Sequence, residues 1–465
     1  MSDGTNDDVL PIGAQVQAQA QAQVRAEAVR LAASGIDGVA MTWVDNSGIT
    51  RVKGVPVERL PEAVERGVGM SPVFDVFLLD DSITESRYVG GPDGDLRLHP
   101  DLGRLTALAA QPGWAWAPAD RHDQEGEPHP CCQRQFARRM TEEARAAGFD
   151  VRMGFETEWV VLRETGDSGG GTPAYPTAGP AYGMTRLVDL SAYLADVLRT
   201  LRDQDVPVMQ VHPEYAAGQM ELSVAPADPV TTADLAVLVR ETVRAVSLRH
   251  GLTPVFAPVA TASALGNGRH LHTSLWHDGR NLCREGPGAA GMTRDAEAFF
   301  AGVLRELPAL MAIGAPSAAS YLRLRPSHWA GAFHCWGVEN REAALRFIPG
   351  PSDDPYTANA EVKCFDPAAN PYLVTGCVIA AGLAGVRDGL RLPSPVAGDP
   401  AHLPSVDRLP PSLPEALKRF QDSEVLRSAL GDPLFEAIGA VRRAEAELFA
   451  DSTPEELIAA VRHAY

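Results

Sequence analysis

Cysteine is scarce: six in 465 residues, at Cys131, Cys132, Cys283, Cys335, Cys364 and Cys377. Their spacing matches no zinc pattern and no dense disulfide framework, so a reduced, cytoplasmic protein is the expectation. No run of about 18 uninterrupted apolar residues occurs, so no membrane span is expected. The start, MSDGTNDDVL, is polar and acidic, unlike the basic-then-apolar pattern of a secretion signal. Basic residues are outnumbered, 41 Lys and Arg against 60 Asp and Glu, for a formal net charge of −19. That balance argues against nucleic acid or an anionic membrane as partner, although a local arginine cluster can still bind an anion. There is no Walker loop and no kinase-type glycine loop, so any nucleotide site must be built differently. No solenoid repeat is found.

What is present suits a folded protein. Hydrophobic residues make up 45% and charged ones 22%, which excludes bulk disorder. Residues 13–33 are Ala/Gln-rich and helix-prone, a packing helix. Two apolar-rich runs, Val39–Val44 and Ile49–Val55, flank the turn formers Asp45, Asn46, Ser47 and Gly48, which reads as a β-hairpin. Residues 83–116 suggest further strands. A small α+β domain is expected over 1–125 and a larger domain over 126–465, with RHDQEGEPHP (residues 121–130) as hinge. A helix is expected over 134–147, then alternating strands and helices to about residue 390. Residues 165–180, rich in Gly, Pro, Ser and Thr, read as a loop, either an insertion or a substrate lid. Prolines break regular structure over 391–415, and the remainder is helical.

The chemistry-bearing residues come in pairs two apart. In GFETEW, Glu156 and Glu158 share one face of a strand, because side chains repeat with period two. Two like charges there repel unless a cation lies between them; an exposed edge-strand face is the bland alternative. In HPEYAAGQMEL, Glu214 and Glu221 flank a glycine-containing turn. In GNGRHLHTSLW, His270 and His272 share a face, and Gly266 and Gly268 allow close backbone approach. Glu361 is a further carboxylate on an apolar run. Carboxylates with one imidazole suit Mg²⁺ or Mn²⁺ better than zinc. Two such ions beside Arg323, Arg325, Arg341 and Arg346 would fit phosphoryl transfer; surface ion pairing is the alternative for those arginines.

Taken in order, GFETEW, HPEYAAGQMEL, GNGRHLHTSLW, NREAALRF and EVKCFDPAANPYL resemble the glutamine synthetase superfamily, type I branch, from about residue 150 to 385. The resemblance implies a small β-grasp domain, a catalytic domain with a curved antiparallel sheet and flanking helices, and a homo-oligomer of stacked rings, a dodecamer. It implies that Glu158, Glu214 and Glu221 hold one divalent ion and Glu156, His270 and Glu361 a second. Gly266, Arg323 and Lys363 would serve glutamate; His272 and Ser274 would lie near ATP. Arg341 and Arg346 would face the transferring phosphoryl group, Arg341 also on the ATP side. ATP would phosphorylate the γ-carboxylate of L-glutamate, and an amine nitrogen would displace the phosphate.

The departures concern the nucleophile. The family's R-L-x-P-G-x-E-A-P segment carries a glutamate that receives ammonium; here RLRPSHWAG puts Trp329 there. An indole is no general base near neutral pH and holds no ammonium by charge. The family's D-G-S-S loop is absent; the corresponding region is GVGMSPVFDVF, residues 67–77, where Asp75 is a poor substitute. Lys363, Leu265 and Asn359 replace an arginine, an asparagine and an ATP-side arginine. No tyrosine occurs in 391–415, so the family's adenylylation is not expected there. The metal and phosphoryl machinery is thus kept while the ammonium pocket is lost. An ATP-dependent ligase joining glutamate to a primary amine follows, a small monoamine such as ethanolamine first, since a polyamine would want more carboxylates. Tyr182 would line that pocket, and Trp329 would pack against the amine or its charge. The alternatives are a glutamine synthetase proper, a γ-glutamylpolyamine synthetase, and a catalytically inactive structural or regulatory relative.

Overall fold

A computed structural model describes residues 12–163, 174–262, 265–354 and 356–465. Most of the loop expected at 165–180 lies outside them. The chain runs α1 (Ile12–Ala33), β1 (Gly38–Val44), β2 (Thr50–Pro56), α2 (Leu60–Arg66), β3 (Val68–Met70), β4 (Leu96–Pro100), β5 (Thr106–Ala107) and β6 (Trp114–His122). Then follow α3 (Gln133–Ala146), β7 (Asp150–Arg163), α4 (Met184–Asp189), α5 (Ser191–Asp203), β8 (Val208–Pro213), β9 (Gln219–Val224), α6 (Pro229–Arg249), β10 (Leu252–Val255), β11 (Arg269–His277) and β12 (Arg280–Asn281). The last part holds α7 (Arg294–Gly314), α8 (Ser320–Arg323), β13 (Phe333–Val338), β14 (Ala343–Ile348), β15 (Asn359–Val362), α9 (Pro371–Arg387), α10 (Leu413–Gln421), α11 (Glu424–Leu430), α12 (Asp432–Leu448) and α13 (Pro454–Val461).

Strands β1 to β6 form one sheet in the order β2-β1-β6-β4-β3, with β5 beside β6. Strands β7 to β15 form a curled second sheet in the order β13-β14-β15-β11-β7-β9-β8, with β10 on β7 and β12 on β11. Its pairs are antiparallel except β13 with β14. The hairpin of β1 and β2 forms as expected, with Gly48 at φ +83° in its turn. That turn is buried, not solvated. Asn370 donates to the carbonyls of Val44 and Asp45, Ser47 donates to Glu445, and Arg442 reaches the Asn46 carbonyl. The first sheet is therefore docked on the helices of the second unit.

Helices back the large sheet. Asn370 caps α9 by accepting from the amides of Tyr372 and Leu373, and almost every side chain along that helix is buried. Helices α7 and α9 approach closely at Gly302 and Gly385, where a Cβ would sit 2.3 Å and 2.2 Å from a backbone oxygen of the other helix. No room exists there for any other residue. With one face of β7, β11 and β15 packed on this layer, the other face is free to carry polar side chains.

Candidate active site

Cross-strand register gathers the expected charged residues. Glu158 on β7 lies opposite Glu221 on β9, and Glu156 lies opposite His270 on β11. Glu361 on β15 lies opposite His272 on one side and Arg346 on the other. Directly opposed side chains in a sheet are close neighbours, so one face collects the whole set. His270 Nδ1 is 3.3 Å from Glu156 and 3.2 Å from Glu361. Its Nε2 is 3.8 Å from Glu158. His272 Nε2 is 3.3 Å from Glu156, and its Nδ1 is 2.9 Å from Asn359 Oδ1. Ser274 continues the same face of β11 and accepts from the indole N–H of Trp276.

The carboxylates differ in compensation. Burial opposes ionisation of Glu361, but Lys363 at 3.0 Å and the two histidines bring its pKa down to about 2. Arg346 adds a contact of 3.1 Å to Glu361. Burial would raise Glu156 too, yet hydrogen bonds from His270 and His272 hold its carboxyl well below the usual range. Burial, then the Lys363 charge, lowers His270 to about 4 and keeps it neutral; His272, though buried, is raised to about 9 by Glu156. Glu158 is compensated less, by the charge of Arg323. Burial and then the Glu221 charge push it up to about 8, although Gly268 N–H and Gln219 Nε2 both donate to it at 2.8 Å.

Among the described residues, three tight ligand groups lie on this face: Glu156 with His270 and Glu361, Glu158 with Glu221 and His270, and His212 with Glu214 and Glu221. Each offers carboxylate oxygens and one imidazole, a donor set that fits a hard divalent ion. Of the expected trio, Glu158 falls in one of these groups and Glu214 in another, with Glu221 shared by both. Glu214 Oε1 is 3.7 Å from His212 Nδ1, and the Tyr182 hydroxyl and the Tyr215 amide both donate to its Oε2 at 2.8 Å. His212 was not singled out in the sequence. Its Nε2 is 3.2 Å from Glu221, whose hydrogen bond raises its pKa to about 9. The signal was available in HPE, where His212 and Glu214 repeat the spacing of the other pairs.

The glycines have a steric reason. A Cβ at Gly266 would meet the Pro258 carbonyl oxygen at 2.3 Å and Arg323 at 2.7 Å; one at Gly268 would meet His270 Nε2 at 2.3 Å. Arg323 can therefore lie beneath the loop, donating to the Lys363 carbonyl at 2.9 Å. Among the described residues its Nη1 is buried without a partner, a donor left for an anionic ligand.

The rim stands on turns. Tyr182 has φ +55° and is half exposed, its ring 6.0 Å from that of His212. Trp329 has φ +55° and is 59% exposed, so neighbours do not pack its indole in place. Arg346 bridges Glu361 and Glu339, while Arg341 is exposed on the turn from β13 to β14. The Lys363 ammonium, expected to serve glutamate, pairs with Glu361 at 3.0 Å. Asp75 is wholly buried and paired with Arg121 at 2.8 Å, with Gln133 beside it, so the structure does not present it to a substrate.

A family model described as glutamine synthetase, catalytic domain, matches residues 130–458. The chain is 52% identical over 444 residues to a γ-glutamylpolyamine synthetase of Streptomyces coelicolor, covering 94% of this chain and 95% of that protein. It is 28% identical over 434 residues to a glutamine synthetase of Halobacterium salinarum, covering 90% and 92%. Among solved structures, a glutamine synthase homolog has a TM-score of 0.83 at 32% identity, covering 92% of this chain and 99% of that one. A GmaS/ADP complex has a TM-score of 0.80 at 27% identity, covering 92% and 96%.

Proposed function

Since the chain belongs to the glutamine synthetase family, we propose that its nucleophile is an organic primary amine in place of ammonia. The chain is an ATP-dependent carbon–nitrogen ligase of that family. A single juxtaposition carries the proposal: buried, under-compensated Glu158 and Glu221 lie on the sheet face, and exposed Trp329 stands at the rim position where the motif resemblance implies a proton-accepting glutamate.

A carboxylate is a poor acyl donor. Transfer of the ATP γ-phosphoryl group to the glutamate γ-carboxylate forms a C–O–P linkage and releases ADP. The amine nitrogen then attacks the carbonyl carbon, phosphate leaves with the C–O bonding pair, and the nitrogen loses a proton. Glu156, His270 and Glu361, with Glu158, Glu221 and Glu214, would hold divalent ions, Mg²⁺ or Mn²⁺. Such ions supply charge neutralisation for phosphoryl oxygens. Arg323 and the Gly266 backbone hold glutamate, while His272 and Ser274 face ATP. Arg341 and Arg346 offset charge on the transferring group. A ring of twelve subunits belongs to the same proposal.

The amine we assign is a polyamine. The Streptomyces relative supports it, and so does the rim. Glu339, which pairs with Arg346, adds a carboxylate near the cluster, and Tyr182 and Trp329 offer aromatic faces to ammonium groups. Ethanolamine is the second reading, favoured by the uncharged indole at position 329. Phosphate release from ATP with L-glutamate, measured with spermidine, putrescine, ethanolamine or ammonium and with product masses determined, tests both. A γ-glutamyl amide of a polyamine is the expected product. Turnover chiefly with ammonium would overturn the reading of Trp329, and turnover chiefly with ethanolamine would overturn the polyamine.

A further inference from the structure

We infer that Glu342 is a positioning residue whose carboxylate holds the loop presenting Trp329, and so sets the apparent affinity for the nucleophile. The inference rests on the amine-ligase reading only for which nucleophile is used. The loop 325–331 runs from α8 to β13 and contains two L-residues in the left-handed region, Ser327 at φ +59° and Trp329 at φ +55°. Such backbone persists only where its surroundings enforce it. The exposed indole does not enforce it. The enforcing contacts are on the backbone: the Trp329 amide donates to Glu342 Oε1 at 2.6 Å, and the Ser327 amide donates to Glu342 Oε2 at 3.2 Å.

Glu342 is only 6% exposed, and among the described residues no lysine or arginine pairs with it. A buried carboxylate without a cation is costly unless its oxygens are used. Here both are used on the loop, each by one amide. A second strap joins Ser327 Oγ to Asp399 at 2.9 Å. The turn carrying Glu342 is itself pinned, since Asn340 donates at 2.9 Å to the carbonyls of both Val396 and Gly398. The same turn carries Arg341, and Glu339 in it grips Arg346. Glu342 thus fixes the indole-bearing loop to the turn that holds the phosphoryl-side arginines, so its loss should release the nucleophile side while leaving the glutamate and ATP contacts in place.

The test uses the full chain and two variants, Glu342→Gln and Glu342→Ala. Hydrogen exchange is read on the peptide spanning 325–331, and kcat and KM are read for amine, glutamate and ATP. Glu342→Ala should speed exchange of the loop amides about tenfold or more, with Glu342→Gln intermediate because one acceptor oxygen survives. The KM for amine should rise about tenfold, while those for glutamate and ATP stay within about twofold. Unchanged exchange would overturn the clamp. A fall in thermal stability with all three constants changing together would make Glu342 merely structural and would equally overturn it. If Glu342→Ala does not fold, Glu342→Gln carries the test. If the wild-type protein uses ammonium alone, the amine reading fails, and the same KM comparison made with ammonium still judges Glu342.

Discussion

The buried charges and the rim are built by different means. Glu156, Glu158, Glu221, His270 and Glu361 are fixed by the register of adjacent strands, and each is pinned by the sheet's backbone hydrogen bonds. Tyr182, Trp329 and Arg341 stand on turns, two of them on left-handed backbone and all of them exposed. A register shift of one residue would turn every strand side chain to the other face, so the charged lattice tolerates little change. A turn can exchange its side chain with the scaffold intact. The difference teaches that chemistry common to a family can be kept in the strands while the choice of nucleophile is revised at the rim.

Substitutions should break the two regions unequally. Glu158→Ala is expected to reduce ATP turnover at least about a thousandfold, as loss of a central charge-organising group does. A phosphate-release assay checks this, and near-normal turnover would remove Glu158 from the site. Ion binding should show the same asymmetry in stability. The Glu158 pKa is raised to about 8 in the folded chain from an ordinary 4.5, by burial and then by Glu221. The folded state therefore binds more protons between those values, and its stability without ions should fall as pH rises through that window. Excess Mg²⁺ or Mn²⁺ should offset the loss, by about 2.7 kcal/mol at a hundredfold excess over the dissociation constant, and more so near the upper end. Thermal melts with and without ions would show it; an ion effect that shrinks with rising pH would contradict it.

At the rim the effects should be smaller and specific. Trp329→Glu should raise ammonium use about tenfold, because a proton acceptor returns to the pocket. Steady-state assays with ammonium check it, and no gain would mean that position 329 does not choose the nucleophile. Tyr182→Phe removes one hydrogen bond to Glu214, worth about 1 kcal/mol, and should lower kcat/KM for amine about fivefold. An equal loss in glutamate and ATP parameters would speak against a role in the amine pocket.

How far the sequence could be read follows the same division. The period of two in GFETEW and GRHLHTSLW placed each pair on one strand face, and chain order with spacing pointed to the family. Period alone does not say which strands are neighbours. That Glu361 meets both His272 and Arg346 depends on tertiary pairing between distant segments. His212 is hard to single out from sequence because a single histidine beside a proline reads as a turn. Glu342 escaped because its work is done on backbone amides, which leave no trace in side-chain patterns. For Asp75 and Lys363 residue type gives a charge, and only the fold shows that Arg121 and Glu361 lie against those charges.

The most direct test is a competition in one vessel: wild-type protein, ATP, L-glutamate, a divalent ion, and equal concentrations of ammonium and spermidine, with products separated by mass. A γ-glutamyl amide of spermidine in large excess over glutamine is the expected result. Glutamine as the main product would contradict the division of labour between the charged sheet face and the rim that carries Trp329.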